Sequence, residues 1–331
     1  MKKVALWLLK AAFSGLIAFA GLTVFCLIYF NVPIRQATAE GATDYSWEYS
    51  KFYSRATEGF AFGRTNNEGY LNTMDYTGKE EIDVLVMGSS HMEAYQVSLN
   101  QSTAAFLGER LPNDTVYNIG VSGHDFLVCA DNLSAAVAKY KPSKYVIIET
   151  SAISFSEEQL SAAINERVSD IASYSGGIIG LLQKNQFIRL LYTQLQSFTG
   201  NREASGEQGK RPTTVPEWNL SLYNALLAKL ANTVCESGAQ LIIVYQANLS
   251  ISEDGSATCS CDAELISRFA KLCENNDVLF LDMSSHFLRY YEETHILPHG
   301  FWNTSVGSGH LNKYGHKLIA DALYDLIEEN A

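Results

Sequence analysis

The chain has 331 residues, 47% of them hydrophobic and 18% charged, which is enough for one substantial folded unit with additions or for two small ones. Its formal net charge of −12, with no long basic run, excludes a nucleic-acid binder, which needs a positive face.

Lys2, Lys3 and Lys10 precede an uncharged, mostly apolar run from Ala11 to Phe30. Twenty such residues are about enough to cross a bilayer as a helix. The lysines lie on the N-terminal side, so the positive-inside rule places residues 1–35 as a cytoplasmic stub and retained single-pass anchor, with the rest of the chain extracytoplasmic at the cell membrane. A cleaved signal peptide is the alternative. Ala37-Thr38-Ala39 resembles a cleavage site, but the apolar run exceeds the usual h-region. Residues 36–80 are polar and rich in aromatics, from Tyr45 and Trp47 to Phe60 and Phe62, so they read as a spacer that packs on the domain.

From residue 82 strands and helices alternate. Ile82–Met87 reads as a buried strand, 100–110 as a helix with Leu107 and Leu111 inward, 115–119 as a strand and 126–140 as a helix stopped at Lys141-Pro142. Tyr145–Ile148 is the third strand. Residues 156–200 are helical in pattern, interrupted at Gly176-Gly177, and 200–216 are rich in Gly, Ser, Glu, Lys and Pro. The stretch 156–216 thus reads as a helical and lid-like insertion. A helix at 219–237, a strand at 241–245, a helix at 261–276, a strand at 278–281 and a last helix at 314–329 complete the series. The pattern predicts a three-layer α/β/α sandwich over 81–331 with a roughly five-stranded parallel sheet. Ligands then bind outside the carboxyl ends of the strands. Gly88–Ser90, Asn118–Gly123 and Glu149–Ser151 all fall at such ends.

Two motifs carry chemistry. The first strand breaks at Gly88-Ser89-Ser90-His91, which can project a serine hydroxyl at the sheet edge. Gly307-Ser308-Gly309-His310-Leu311-Asn312-Lys313-Tyr314-Gly315-His316 leads into the last helix, where a histidine can reach the same edge. A serine hydroxyl is a poor nucleophile until a base removes its proton, so Ser90 and His310 read as nucleophile and base of an acyl-transfer site. Asn312 reads as a helix cap and His316 as structural. His91, Trp302 and Asn303 are candidates for lining a substrate pocket, since rings and amides suit carbohydrate.

His295 and His299 are spaced i, i+4, but Pro298 between them argues against a helical metal pair. Of six cysteines, Cys26 lies in the apolar run. Cys259-x-Cys261 is too short for a zinc knuckle, although an exported chain permits a bridge from either of these to Cys235 or Cys273. Neither a metal nor an organic cofactor is called for.

With Gly88-Ser89-Ser90, Asn118-Ile119-Gly120-Val121-Ser122-Gly123 and His310-Leu311-Asn312-x-x-Gly315-His316 in order, residues 80–328 resemble the SGNH (GDSL-like) hydrolases. The resemblance implies Ser90 as nucleophile, His310 as base and the Gly123 N–H in the oxyanion hole. It departs twice. The strand-three block reads Glu149-Thr150-Ser151-Ala152, so the family's oxyanion asparagine is missing and Ser151 is the nearest substitute. The triad aspartate, three residues before the histidine, is Gly307. A Ser-His dyad oriented by a backbone carbonyl, or Glu149 as the acid, is the implied compensation. The resemblance implies a serine esterase or O-acyltransferase acting on a cell-surface polysaccharide or other acylated glycan, with a membrane-bound O-acyltransferase as a possible partner. The alternatives are a catalytically degenerate glycan-binding or scaffold protein and a lipid-directed esterase.

Overall fold

The computed structural model describes residues 2–38, 42–165, 185–198, 218–259 and 262–330. The expected break at Gly176-Gly177, the lid-like stretch 200–216 and Cys261 lie outside these residues.

Helix α1 (Lys2–Tyr29) takes in the apolar run except its last residue, Phe30, and is long and apolar enough to cross a membrane. The segment after it forms two antiparallel pairs. β1 (Arg35–Ala37) pairs with β2 (Tyr45–Trp47), and β3 (Phe52–Arg55) with β4 (Ala61–Arg64). The expected spacer is therefore ordered structure.

A five-stranded parallel sheet follows, of β5 (Val84–Met87), β6 (Val116–Asn118), β7 (Tyr145–Thr150), β8 (Gln240–Tyr245) and β11 (Leu279–Asp282), in the spatial order β11-β8-β7-β5-β6. Its strands are Val-, Ile- and Leu-rich and buried on both faces, as parallel strands covered by helices must be. Side chains alternate between two cores. Leu85, Met87, Val146, Ile148, Leu241 and Ile243 join one, with α4 (Phe126–Tyr140), α5 (Glu157–Ile164), α7 (Leu220–Cys235) and α8 (Ala263–Asn275). Val84, Val86, Ile147, Ile242 and Val244 join the other, with α3 (Thr103–Arg110), α9 (Ser284–Thr294) and α10 (Lys313–Asn330). The three-layer α/β/α sandwich read from the sequence is the observed architecture.

The chain order reverses around β5, whose neighbours are β6 and β7. Crevices for ligands open at the carboxyl ends of strands beside such a reversal. Gly88-Ser89-Ser90, leading into the one-turn helix α2 (Ser90–Glu93), begins there.

Several features fall outside the sequence pattern: the four N-terminal strands, α9, and a small pair of β9 (Leu249–Ile251) with β10 (Ala257–Cys259). Helix α6 (Gln186–Phe198), within the insertion, packs against α1, with the Phe187 and Phe19 rings 5.8 Å apart.

Candidate active site

Ser90 and His310 are 220 residues apart in sequence and adjacent in space, with Ser90 Oγ 2.8 Å from His310 Nε2. The loop between α9 and α10 delivers the histidine. His299 and Leu311 form a bridge, Gly300 N–H donates to the His310 carbonyl at 2.9 Å, and Asn312 closes the loop onto the helix. The Asn312 side chain accepts from the N–H groups of Tyr314 and Gly315 and donates to the carbonyls of Leu297 and Gly300, so it caps α10 and pins the loop together.

The other face of the imidazole meets Glu58. Its Oε2 lies 2.6 Å from His310 Nδ1, and its Oε1 accepts the His310 backbone N–H at 2.6 Å. Glu58 sits in the β3–β4 turn, in the segment that the sequence presents only as a spacer. Burial pushes its carboxyl up, but the two hydrogen bonds from His310 and the charges of His310 and Arg55 outweigh that and hold it below the usual range. The carboxylate is therefore ionised at neutral pH. It comes so close that a Cβ on Gly309 would collide with its Oε1, and Gly309 has φ +104°. Gly307, where the resemblance puts the acid, supplies only a turn with φ +70° packed near the Leu249 carbonyl.

Glu149 is placed differently from its expected role as the acid. It is fully buried and faces the nucleophile turn from behind. Its Oε2 accepts the Ser89 N–H at 3.0 Å and the Ser89 hydroxyl at 2.9 Å, and its Oε1 accepts from Gln246 Nε2 at 3.2 Å. Gln246 Oε1 in turn lies 2.8 Å from His299 Nε2. The chain Ser89–Glu149–Gln246–His299 braces the Gly88–Ser90 turn, and no hydrogen bond joins Glu149 to His310 among the described residues. The physical reason is distance along the sheet edge. The end of β7 lies beside β5, and the carboxylate satisfies the turn's own donors first. Burial raises the Glu149 carboxyl, against the lowering effect of those bonds.

The remaining candidates divide. His91 accepts the Leu311 N–H on Nδ1 at 3.2 Å, and its ring lies 5.1 Å from that of His310. Burial, then the neighbouring imidazoles, hold it neutral, so it braces the His310 loop instead of opening to a ligand. Asn303 is engaged as well: its Oδ1 accepts the Gly59 N–H at 2.7 Å and its Nδ2 donates to the Ala56 carbonyl at 3.3 Å. It clamps the turn that carries Glu58. Trp302 beside it is 84% exposed. Ser151 is exposed just past β7 and makes no hydrogen bond to Ser90 or His310 among the described residues. His316 is buried against Thr103, whose hydroxyl is 2.9 Å from its Nδ1, and ties α10 to α3.

Gly123 is exposed with φ +95°. The preceding carbonyl, of Ser122, accepts from the Tyr45 hydroxyl at 2.7 Å and from Arg35 at 3.0 Å, while the Ser122 hydroxyl binds buried Glu93, itself bonded by Trp47 Nε1 at 2.8 Å. In a planar trans peptide the N–H points opposite the C=O. Fixing the Ser122 carbonyl therefore fixes the direction of the Gly123 N–H. The clamping residues, like Glu58, come from the N-terminal segment. Sequence reasoning passed over Glu58 because Asp44, Glu48, Glu68 and Asp75 in the same stretch look no different. The only local signal is the turn-forming Gly59 next to it.

No family model and no curated protein matches the chain. Solved structures similar to it include TesA (14% identity, covering 75% of this chain and 99% of that one, TM-score 0.39). They also include the acetyl xylan esterase AlAXEase (13%, 73% and 98%, TM-score 0.41) and a GDSL-like lipase from Bacteroides thetaiotaomicron (11%, 77% and 92%, TM-score 0.37). In this chain Gly88–Ser90 and His310–His316 meet at the carboxyl edge of the parallel sheet. In its motifs the chain resembles the SGNH (GDSL-like) hydrolases. The carboxylate beside His310 enters from the N-terminal side of the fold.

Proposed function

We propose that the chain is a membrane-anchored, extracytoplasmic serine esterase or O-acyltransferase with a Glu58–His310–Ser90 triad. One observation carries the reading: an imidazole held between a serine hydroxyl at 2.8 Å and a half-buried carboxylate at 2.6 Å. Glu58 sets the tautomer with the proton on Nδ1, leaving Nε2 to take the Ser90 proton as Oγ attacks an ester carbonyl. The N–H groups of Ser90 and Gly123 are the donors for the oxyanion. His310 then gives its proton to the leaving alcohol, and the acyl group on Ser90 passes to water or to a sugar hydroxyl.

Acetyl is the acyl group proposed, and a cell-surface glycan the substrate. Trp302, exposed next to the clamp on Glu58, offers a ring face on which a sugar can stack. A membrane-bound O-acyltransferase remains the proposed donor partner. The degenerate-binder reading rests on Gly307 and Ser151, where an acid and an amide are expected; Glu58 beside His310 speaks against the first ground and leaves the second.

The test is fluorophosphonate labelling and p-nitrophenyl acetate turnover by the full chain and by Ser90→Ala. Both should vanish in the variant while its fold persists. A folded wild type that neither labels nor turns over would overturn the proposal, as would a variant that keeps full activity. Acetylated glycans against acyl lipids then separate the substrate classes.

A further inference from the structure

The β3–β4 hairpin shows aromatic side chains to solvent that nothing among the described residues covers. Phe52 is 73% exposed, Phe62 62% and Phe60 47%. Register puts Phe52, Arg64 and Phe62 on the same hairpin face, opposite Tyr53 and Ala61, which are buried in the protein. Exposed apolar residues in such a group mark an interaction surface.

The hairpin is also continuous with α1. Asn31, just past the helix, donates to the Phe52 carbonyl at 2.9 Å and to the Ser54 hydroxyl at 3.1 Å, and its carbonyl accepts the Ser54 N–H at 3.0 Å. The Tyr29 ring lies 6.0 Å from Phe60, and Phe60 lies 6.2 Å from Phe62. From Lys10 to Phe30 the helix rises about 30 Å, the thickness of the hydrocarbon core, so its Tyr29-Phe30 end falls at the membrane surface. Aromatic residues at that level are the usual membrane-interface anchors.

Helix α6 adds a second element at the same level. Gln186 Nε2 donates to Asn31 Oδ1 at 3.0 Å, Asn185 reaches Thr23 at 3.5 Å, and Phe187 packs on Phe19. Thr23 lies about 9 Å of helix rise below Tyr29. That is the depth at which amphipathic interfacial helices sit. Leu191, Tyr192 and Leu195 of α6 are 47%, 46% and 61% exposed.

We infer that the β3–β4 hairpin and α6 dock on the outer leaflet beside α1, with Phe52, Phe60 and Phe62 and the apolar face of α6 in lipid. The inference rests on the anchor reading above. It makes the insertion, at least over α6, a membrane element. It also holds the site at the bilayer surface, since Glu58 and Phe60 are two residues apart and at most about 7 Å between Cα atoms.

The experiment uses the full chain in phosphatidylcholine vesicles that carry a diazirine on an acyl chain, with adducts mapped by mass spectrometry. Adducts are expected in α1, in 52–64 and in 186–195, about tenfold above those in α8, which packs beside β11 at the sheet edge. Phe62→Ser combined with Leu195→Ser should lower the adducts in both segments while p-nitrophenyl acetate turnover is retained. Adducts confined to α1 would overturn docking and leave the anchor standing, with the face open to a membrane-embedded protein. An unlabelled α1 would overturn both.

Discussion

Glu58→Gln is the substitution that interrogates the triad most directly. The amide has the shape of the carboxylate but only one acceptor. Glu58 uses Oε2 toward His310 Nδ1 and Oε1 toward the His310 N–H. If the amide nitrogen faces Nδ1, the imidazole must accept there and carry its proton on Nε2, where it cannot take the proton of Ser90. If the nitrogen faces the backbone, two donors oppose each other in a half-buried site. In neither arrangement does a charge stabilise the imidazolium. Loss of the orienting acid in a comparable triad costs about 10⁴ in kcat, or about 5.5 kcal/mol of barrier. The assay is p-nitrophenyl acetate turnover under saturating ester, with circular dichroism to confirm the fold. Glu149→Gln is the control. It touches Ser89 and Gln246 and not His310, so its loss should stay below about 10², the cost of a slightly misplaced nucleophile. A Glu58→Gln enzyme within tenfold of wild type, while Ser90→Ala is inactive, would refute the reasoning.

Three further outcomes follow from the same geometry. Asn303→Ala frees the turn that carries Glu58, and kcat should fall about 10–100-fold with little change in thermal midpoint, measured by turnover and calorimetry. Gly309→Ala forces a Cβ into the Glu58 carboxylate at φ +104° and should cost about 10² or more in kcat, far beyond its effect on KM. Burial pushes His124 and His299 down to about 4 and His316 to about 3. The unfolded chain protonates them near pH 6.5, so stability should fall as pH drops from about 6.5 toward 4, by up to about 3 kcal/mol per residue. Glu58 acts at a lower pH: its carboxyl is depressed, so its stabilisation is present above about 4.5 and lost as pH falls through the folded value. Urea midpoints that do not move between pH 7 and 5 would contradict the histidine assignments.

The fold was legible where burial dictates the pattern. Val84–Met87, Tyr145–Thr150 and Gln240–Tyr245 are apolar runs because helices cover both faces of them, and the helices between them carry clean caps such as Asp125 and Asn219. The four N-terminal strands were not legible. They are three or four residues long, bury few side chains in no regular alternation, and are stabilised by contacts with residues more than 40 positions away, such as Asn66 to Tyr117 and Trp47 to Glu93. Helix α9 escaped for a related reason, since its polar face dominates and only Ser284 and Phe287 are buried. In the site, Ser90 and His310 could be paired because each sits at the junction of a strand or helix with a turn of recognisable chemistry. Glu58 could not, because a carboxylate in a two-strand turn looks like any surface acid until the turn is folded against Asn303 and Gly309.

An imidazole needs a carboxylate at Nδ1 and is indifferent to the element that brings it. With Gly307 in a tight turn against Leu249, the loop before His310 has no acidic side chain to offer, and the carboxylate comes from outside the sandwich. The β3–β4 turn supplies it, and the same N-terminal segment holds the Ser122 carbonyl through Tyr45 and Arg35. The acid and the oxyanion loop of the proposed mechanism therefore depend on one segment, and that segment is bonded through Asn31 to the end of α1. Movement of the N-terminal segment as a whole away from the sandwich removes the carboxylate from His310 and loosens Gly123 together. Coupling of this kind predicts a nucleophile that is fully competent only while the juxtamembrane segment is seated. Fluorophosphonate labelling of Ser90 should then slow in parallel with Asn303→Ala and with Tyr45→Phe, although neither residue touches the serine.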